Sequence, residues 1–226
     1  MTQTVIAIDG PSGTGKSSTS KAVAAKLGLS YLDTGAQYRA ITWWMLNNGV
    51  DVDDPVAVAD ASGKPAIVSG TDPADPTITV DGEDVTGPIR GQDVTSAVSA
   101  VSAVPEVRAR MVEFQRAVAA AASGGIVVEG RDIGTTVFPD APVKIFLTAS
   151  AEARAARRSG ELKGAVSVAD TQAALARRDA ADSGRTTSPL AMAADAIEVD
   201  TTRLSLDEVV ERVVTLVEEK RAVRDR

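Results

Sequence analysis

The residues Gly10-Pro-Ser-Gly-Thr-Gly-Lys-Ser17 have the types and the spacing of a phosphate-binding loop. In the pattern G-x-x-x-x-G-K-[ST], successive backbone N–H groups face the phosphates of a nucleotide, the lysine reaches the outer phosphates, and the hydroxyl binds Mg²⁺. Ser17 is therefore the predicted Mg²⁺ ligand. The residues expected to hold a nucleoside triphosphate are Gly10, Pro11, Ser12, Gly13, Thr14, Gly15, Lys16, Ser17 and Ser18.

The segments around this loop have the character that the motif requires. An apolar, β-branched run, Thr4–Ile8, precedes it, and Ser18–Leu27 has the composition of a helix that ends at Gly28. A helix that begins at the loop adds a favourable dipole for anions. The alternative, a glycine-rich turn without a ligand, does not account for this order of strand, loop and helix.

The composition excludes several kinds of chemistry. The chain contains neither Cys nor His, which removes disulfides, thiolate nucleophiles, Cys/His zinc sites and Ser-His-Asp triads. Phosphoryl transfer remains, because it depends mainly on positioning, Mg²⁺ and cations around the moving group.

Charge and hydropathy limit the partners. The net charge of −7 argues against a nucleic-acid polymer as the main partner. The sequence shows no run of eighteen apolar residues and no charged and apolar leader at its start, so no membrane association is expected. We expect a cytoplasmic monomer that acts on small molecules.

The pattern of apolar runs predicts a three-layer α/β fold with a five-stranded parallel sheet. The predicted strands are 5–8, 29–32, 126–128, 143–147 and 196–199. The predicted helices are 18–27, 36–48, 105–122, 150–158, 168–182 and 205–221, the last of which opens with the capping box Ser205-Leu-Asp-Glu208.

One proline-rich stretch breaks this alternation. Thr77–Val85 is typical of a small hairpin that turns at Asp81-Gly82; a loose surface loop is the alternative. We therefore predict a single domain over residues 1–226, with a core of 1–62 and 99–226, an antiparallel insert at about 63–98 and a lid at about 154–188.

Two polar motifs follow predicted strands. Asp33-Thr-Gly-Ala-Gln-Tyr-Arg39 follows the second strand, and Glu129-Gly-Arg-Asp-Ile-Gly134 follows the third. Ligands of open α/β sheets bind outside the carboxyl ends of the strands, where both motifs are expected to lie. Arg39 and Arg131 could hold a phosphate, and Asp132 could accept from a base amino group. The structural alternatives are a capped helix with an exposed arginine and an internal ion pair.

Arginines are concentrated in the predicted lid. Arg154, Arg157 and Arg158 lie within one helical turn, which brings like charges together and favours an anion between them. Arg177, Arg178, Asp182 and Arg185 follow on the next segment. A closing lid that carries arginines to ATP phosphates would exclude water, whereas the alternative is a solvated basic face.

In combination, these motifs resemble those of the bacterial cytidylate kinases, which phosphorylate CMP and dCMP with ATP. The resemblance extends over essentially the whole chain. It is carried by Gly10–Lys16, Asp33–Arg39, Gly130–Leu147, Arg178–Arg185 and Ser188-Pro-Leu190, and the insert is similar in place and size to that of the long bacterial form.

The resemblance implies a role for each matching residue. It implies contacts from Arg39, Arg131 and Arg185 to the CMP phosphate, from Arg178 and Asp182 to the ribose hydroxyls, from Ser99, Arg108 and Asp132 to the cytosine edge, and from Thr34 to the acceptor. Lys16, Arg131, Arg154, Arg158 and Arg185 would act in catalysis, and Arg157 would bind ATP.

The chain departs from the usual family pattern at two positions. Gln37 stands where an apolar residue is usual, and Ala181 replaces a basic residue of some members. Neither has an expected contact with the substrates, so these departures bear on rate more than on reaction type.

Two other functions remain open at this point: a kinase for another small acceptor such as UMP, and a nucleotide-dependent switch without turnover. Asp84-Val-Thr-Gly87 matches the D-x-x-G pattern of GTPases, but the chain has no N-K-x-D motif for guanine. Beyond Ser17, Glu129 is a candidate Mg²⁺ ligand.

Overall fold

The computed structural model describes residues 4–161 and 166–224. Residues 162–165, which fall in the predicted lid, lie outside the described residues, as do the chain ends 1–3 and 225–226 of the predicted domain.

The centre of the fold is a five-stranded parallel sheet, as the sequence predicts. Its strands are β1 Val5–Asp9, β2 Ser30–Asp33, β6 Ile126–Gly130, β7 Val143–Thr148 and β8 Ile197–Asp200, in the order β2-β6-β1-β7-β8. Every neighbouring pair is parallel. Crossover helices are therefore needed on the faces of the sheet.

Eight α-helices accompany the strands within the described residues. They are α1 Lys16–Leu27, α2 Thr34–Asn47, α3 Pro55–Ala61, α4 Gln92–Val101, α5 Pro105–Ala121, α6 Ala151–Glu161, α7 Val168–Ser183 and α8 Leu206–Arg224. A 3-10 turn at Pro88–Arg90 and a π-helical turn at Ile133–Val137 complete the helical elements.

The alternation of side chains along β1 divides the core into two layers. Ile6 and Ile8 belong to the apolar cluster that includes Val213 and Val217 of α8. Ala7 belongs to a separate cluster that includes Ala119 of α5. Successive residues of a strand point to opposite faces, so β1 is covered by apolar side chains on both faces of the sheet.

The predicted hairpin is confirmed as part of a small antiparallel sheet, β3 Ile67–Ser69, β4 Ile78–Val80 and β5 Glu83–Asp84. Asp81 and Gly82 form its turn, with φ values of 52° and 86°. The sequence did not reveal β3, α3 or α4. Residues 92–98 of the predicted insert are part of α4, whose Val94, Val98 and Val101 are buried.

The insert is fastened to the core at several points. Thr71 O accepts from Tyr31 N at 2.9 Å, which satisfies a backbone donor of the edge strand β2. On α2, Trp44 Nε1 donates to Asp81 Oδ2 at 2.8 Å. The unusual Gln37 is fully buried and donates from Nε2 to Ser69 Oγ at 3.1 Å. Gln37 thus contributes a polar contact between α2 and the insert.

Two adjacent glycines before β6 offer a matched test of the sheet. Gly124 and Gly125 both have positive φ, but only at Gly125 would an added Cβ collide, 2.6 Å from Thr4 O. We expect Gly124→Ala to lower the free energy of unfolding by about 1–2 kcal/mol through backbone strain. Gly125→Ala should lose about 1–3 kcal/mol more because of the clash. Urea unfolding measures both; equal losses would contradict the packing of Thr4 against this turn.

Candidate active site

A cavity of about 240 Å³ opens at the carboxyl ends of β2 and β6, beside the loop that follows β1. All nine predicted acceptor-binding residues line it: Thr34, Arg39, Ser99, Arg108, Arg131, Asp132, Arg178, Asp182 and Arg185. The nucleotide loop contributes Ser12, Gly13, Gly15, Lys16, Ser17 and Ser18 to the same cavity, whereas Gly10, Pro11 and Thr14 do not line it. The two groups of predicted binding residues therefore share one space.

The glycine loop depends on close backbone approach. Gly10 has a φ of 147°, and a Cβ there would lie 2.2 Å from Leu147 O on β7. Gly15, with a φ of 85°, precedes the first residue of α1. Lys16 is buried, and its Nζ donates to Pro11 O at 2.7 Å. Burial and the nearby Arg131 lower the pKa of Lys16.

Glu129, at the end of β6, lies beside the hydroxyl of Ser17. Its Oε1 accepts from Ser17 Oγ and from Tyr31 OH, each at 2.7 Å. Its Oε2 is buried and has no hydrogen-bond partner among the described residues. Burial and Asp33 raise the pKa of Glu129 to about 7, against the opposing effect of Lys16. A carboxylate oxygen without a partner next to a hydroxyl suits a hard cation with oxygen ligands.

At another part of the cavity, Arg108 and Asp132 form a buried ion pair. Arg108 Nη2 donates to Asp132 Oδ2 at 2.5 Å, and the two side chains are 3% and 6% exposed. Arg108 also lies 5.3 Å from the centre of the Tyr38 ring. The pair offers guanidinium donors and carboxylate acceptors in a site shielded from water, a combination suited to recognising the edge of a base.

Asp182 holds two of the predicted phosphate-binding arginines together. Its Oδ2 accepts from Arg131 Nε at 3.0 Å, and its Oδ1 accepts from Arg185 Nη2. Arg131 also donates to Gly10 O at 3.0 Å and to Ser12 Oγ at 2.6 Å. Arg131 therefore links Asp182 of α7 to the nucleotide loop.

Arg39 and Arg178 complete the basic side of the cavity. Arg39 Nη1 donates to Ile89 O at 3.1 Å and to Thr95 Oγ1 at 2.9 Å. Arg178 Nε is buried without a hydrogen-bond partner in the part of the chain that the structure describes. Burial, Arg131 and Arg39 lower the pKa of Arg178 to about 10. Arg178 therefore has a buried donor available for a ligand.

The three arginines of α6 point to different partners. Arg158 lines the cavity and pairs with Glu161 at 2.7 Å. Arg154 instead donates to Ser12 O at 3.1 Å and pairs with Asp179, and Arg157 Nη1 donates to Thr201 Oγ1 at 2.9 Å. Arg154 and Arg157 do not line the cavity; their roles toward ATP remain predictions.

Several residues at the site were not expected from the sequence. Arg90 and Ser102 line the cavity. Asp9 lies at the end of β1 and accepts from Ile133 N at 2.9 Å and Gly134 N at 2.8 Å; burial raises its pKa to about 6. Because Asp9 directly precedes Gly10 of the nucleotide loop, its place near the site could have been predicted from the sequence. Ser102 lies in a run of Ser, Ala and Val and has no motif to distinguish it.

The charge of the cavity is opposite to that of the chain, whose net charge is −7. Its lining has eight basic side chains against five acidic ones. The basic residues are Lys16, Arg39, Arg90, Arg108, Arg131, Arg158, Arg178 and Arg185, and the acidic residues are Asp33, Glu129, Asp132, Glu161 and Asp182. The cavity is therefore suited to anionic ligands.

The bridging carboxylate of Asp182 provides a prediction. Asp182 is 2% exposed, so Asp182→Asn should leave two partly buried guanidinium groups without their counter-charge, at a cost of about 3 kcal/mol or more in unfolding free energy. The control is Glu211→Gln, whose pair with Lys26 is exposed and should contribute no more than about 1 kcal/mol. Similar losses in urea unfolding would contradict the bridging role.

Comparisons with known proteins identify the family of the chain. The family model for cytidylate kinase matches residues 6–219. A cytidylate kinase from Streptomyces coelicolor is 79% identical over 218 residues, covering 96% of this chain and 94% of the relative. One from Rhodococcus opacus is 54% identical over 223 residues, covering 97% and 96%.

The fold also resembles that of a solved structure at low sequence identity. A crystal structure of an uncharacterized protein from Eubacterium ventriosum has a TM-score of 0.53 at 13% identity, covering 96% of this chain and 99% of the other. That similarity concerns the fold alone. The family model and the identities to curated relatives show that this chain belongs to the cytidylate kinase family.

Proposed function

We propose that this chain transfers the γ-phosphoryl group of ATP to CMP or dCMP, giving ADP and CDP or dCDP. The observation that carries this proposal is the shared cavity, which has the loop lysine Lys16 at one part and the buried Arg108–Asp132 pair at another. Arg131 and Arg185 lie along the same cavity. A triphosphate and a nucleoside monophosphate can thus meet at their phosphates.

The nucleotide loop would hold ATP, with Arg157 as a further contact from α6. Ser17 and Glu129 would hold Mg²⁺, and the free Oε2 of Glu129 supports this fit. Among the described residues, no three His, Cys, Asp or Glu side chains converge on one point, and Mg²⁺ bound by few protein ligands retains water and phosphate oxygens. When bound, Mg²⁺ would offset charge on the ATP phosphates.

The Arg108–Asp132 pair supports cytosine as the base. Cytosine presents an amino donor at N4 beside acceptors at N3 and O2, which complements a carboxylate next to a guanidinium. Uracil reverses the donor and acceptor at positions 3 and 4, so it would leave buried polar groups unpaired at about 1–3 kcal/mol each. Ser99 would contribute to this edge, and Thr34 would line the acceptor site.

The acceptor phosphate would be held by Arg39, Arg131 and Arg185, and Arg178 with Asp182 would contact the ribose. An oxygen of that phosphate attacks the γ-phosphorus in line, and the bond to the β–γ bridging oxygen breaks with its electron pair leaving on ADP. Lys16 and the arginines, with Arg154 and Arg158 from α6, offset the developing charge. No general base is required, because the attacking oxygen is already largely ionised near neutral pH.

We further propose that the chain acts as a cytoplasmic monomer without a nucleic-acid or membrane partner. Within residues 4–161 and 166–224, no helix combines the length and apolar composition that spanning a bilayer requires. A kinase for UMP and a switch without turnover are the alternatives, and the cytidylate kinase relatives favour neither.

A panel of acceptors tests the proposal. Purified protein would be incubated with Mg-ATP and, separately, with CMP, dCMP, UMP, AMP, GMP, dTMP or shikimate, and ADP release would be followed. We expect fast turnover with CMP and dCMP and little with the others. Faster turnover with another acceptor would overturn the assignment of cytosine, and ATP binding without turnover would favour a switch.

Replacement of the loop lysine provides a second prediction. Lys16→Ala removes a buried cation at the phosphate-binding loop and should lower kcat with CMP by at least about 100-fold, the scale of losing a preorganised charge contact. Lys26→Ala, on the same helix but in an exposed pair with Glu211, should leave kcat unchanged. Near-normal turnover by a folded Lys16→Ala protein would exclude a catalytic role for Lys16.

The base-reading carboxylate provides a third prediction. Asp132→Asn should raise KM for CMP and reduce the CMP-to-UMP preference in kcat/KM by about fivefold or more, since one mismatched buried group accounts for about 1–3 kcal/mol. Asp140→Asn is a control at an exposed position of the same segment. An unchanged preference in the Asp132 variant would show that Asp132 does not read the base.

A further inference from the structure

Ser102 occupies a junction in the cavity. It lies directly after the last residue of α4, is 5% exposed, and lines the cavity beside Ser99 and Arg108. No motif in the sequence gave it a role, yet three residues with proposed substrate contacts are bonded to it.

Ser102 accepts two hydrogen bonds and donates one. Its backbone O accepts from Arg108 Nη1 at 3.1 Å, and its Oγ accepts from Arg185 Nη2 at 3.0 Å. The hydroxyl donates to Ser99 O at 3.2 Å. Because its proton is committed to Ser99, the hydroxyl oxygen presents a lone pair to Arg185. Ser102 is therefore a fixed acceptor for two arginines.

These contacts extend into a continuous chain of hydrogen bonds across the cavity. On one side, Arg108 continues to Asp132. On the other side, Arg185 continues to Asp182, and Asp182 to Arg131. Arg131 then reaches Gly10 O and Ser12 Oγ in the nucleotide loop. Ser102 is the neutral link between the two ion-pair groups.

We propose that Ser102 is a positioning residue that couples recognition of the acceptor base to the placement of the acceptor phosphate; this rests on the proposed function. A cytosine that fits Arg108 and Asp132 leaves Arg108 bonded to Ser102 O, and the hydroxyl then holds Arg185 in place. A base that displaces Arg108 disturbs the end of α4 and, through Ser102, the position of Arg185. Base choice is therefore expressed in kcat as well as in KM.

The coupling is tested by steady-state kinetics at saturating Mg-ATP with CMP or UMP varied, using the full chain. Ser102→Ala keeps the backbone carbonyl and removes only the hydroxyl links. We expect kcat with CMP to fall by about tenfold or more, the scale of one hydrogen bond to a charged group. The kcat with UMP should change by less than twofold, so the ratio of kcat with CMP to kcat with UMP decreases.

Two further variants separate coupling from a general structural effect. Ser102→Thr keeps the hydroxyl and should retain the wild-type kcat ratio. Ser96→Ala removes an exposed serine of α4, whose Oγ bonds to Gln92 O outside the cavity, and should leave both kcat values unchanged. If Ser102→Ala does not fold, Ser102→Cys, with a weak acceptor of similar size, takes its place with the same expectation.

The outcomes are distinguishable. Equal losses of kcat with CMP and UMP, or no change with either, would overturn the coupling while leaving the proposed function intact. Absence of turnover with CMP in the wild-type protein would overturn the proposed function and the coupling together. A lower ratio of kcat with CMP to kcat with UMP in Ser102→Ala, together with the wild-type ratio in Ser102→Thr, would support the role of the hydroxyl.

Discussion

The constraint on which the site depends is positive charge held in a shielded cavity. Charged groups removed from water are unfavourable unless they are paired. The structure pairs some of the cations with Asp132 and Asp182 but leaves a buried nitrogen of Arg178 without a partner in the described part of the chain. The remaining excess of basic groups in the lining favours an anionic ligand. The fold supplies this arrangement by opening the carboxyl ends of its parallel strands into one space.

The carboxylates of the cavity have two different functions in this account. Asp132 holds Arg108 beside the proposed base site, and Asp182 holds Arg131 and Arg185 beside the proposed phosphate site. Little reorganisation is then needed when a substrate arrives. Glu129 instead has an oxygen without a partner and lies beside the Ser17 hydroxyl, which suits a cation. An acidic residue in this cavity thus either orients basic groups or, in the proposed function, holds Mg²⁺. The insert and α4 border the same cavity, where Ile89 and Thr95 accept hydrogen bonds from Arg39.

Much of this arrangement could be predicted from the sequence, because its signals are local. The glycine loop, the five apolar strands and the Asp81-Gly82 turn each depend on neighbouring residues. The nine predicted acceptor-binding residues came from motifs at strand ends and from the resemblance to a family, and the cavity brings them together. The junction at Ser102 could not be predicted, since it depends on where α4 ends relative to Arg185, 83 positions away. Likewise, α4 was missed because three buried valines among Ser, Thr and Ala are a weak helical signal.

Calorimetry of CMP and cytidine binding, without ATP, measures directly whether the cavity favours an anion. These ligands differ only in the phosphate, so their difference in affinity reports on the basic groups of the cavity. Charge-assisted hydrogen bonds contribute about 1.5–3 kcal/mol each, so we predict that CMP binds at least about 100-fold more tightly, by a margin that shrinks as salt is added. Equal affinities would contradict the claim that the cavity is built around an anion.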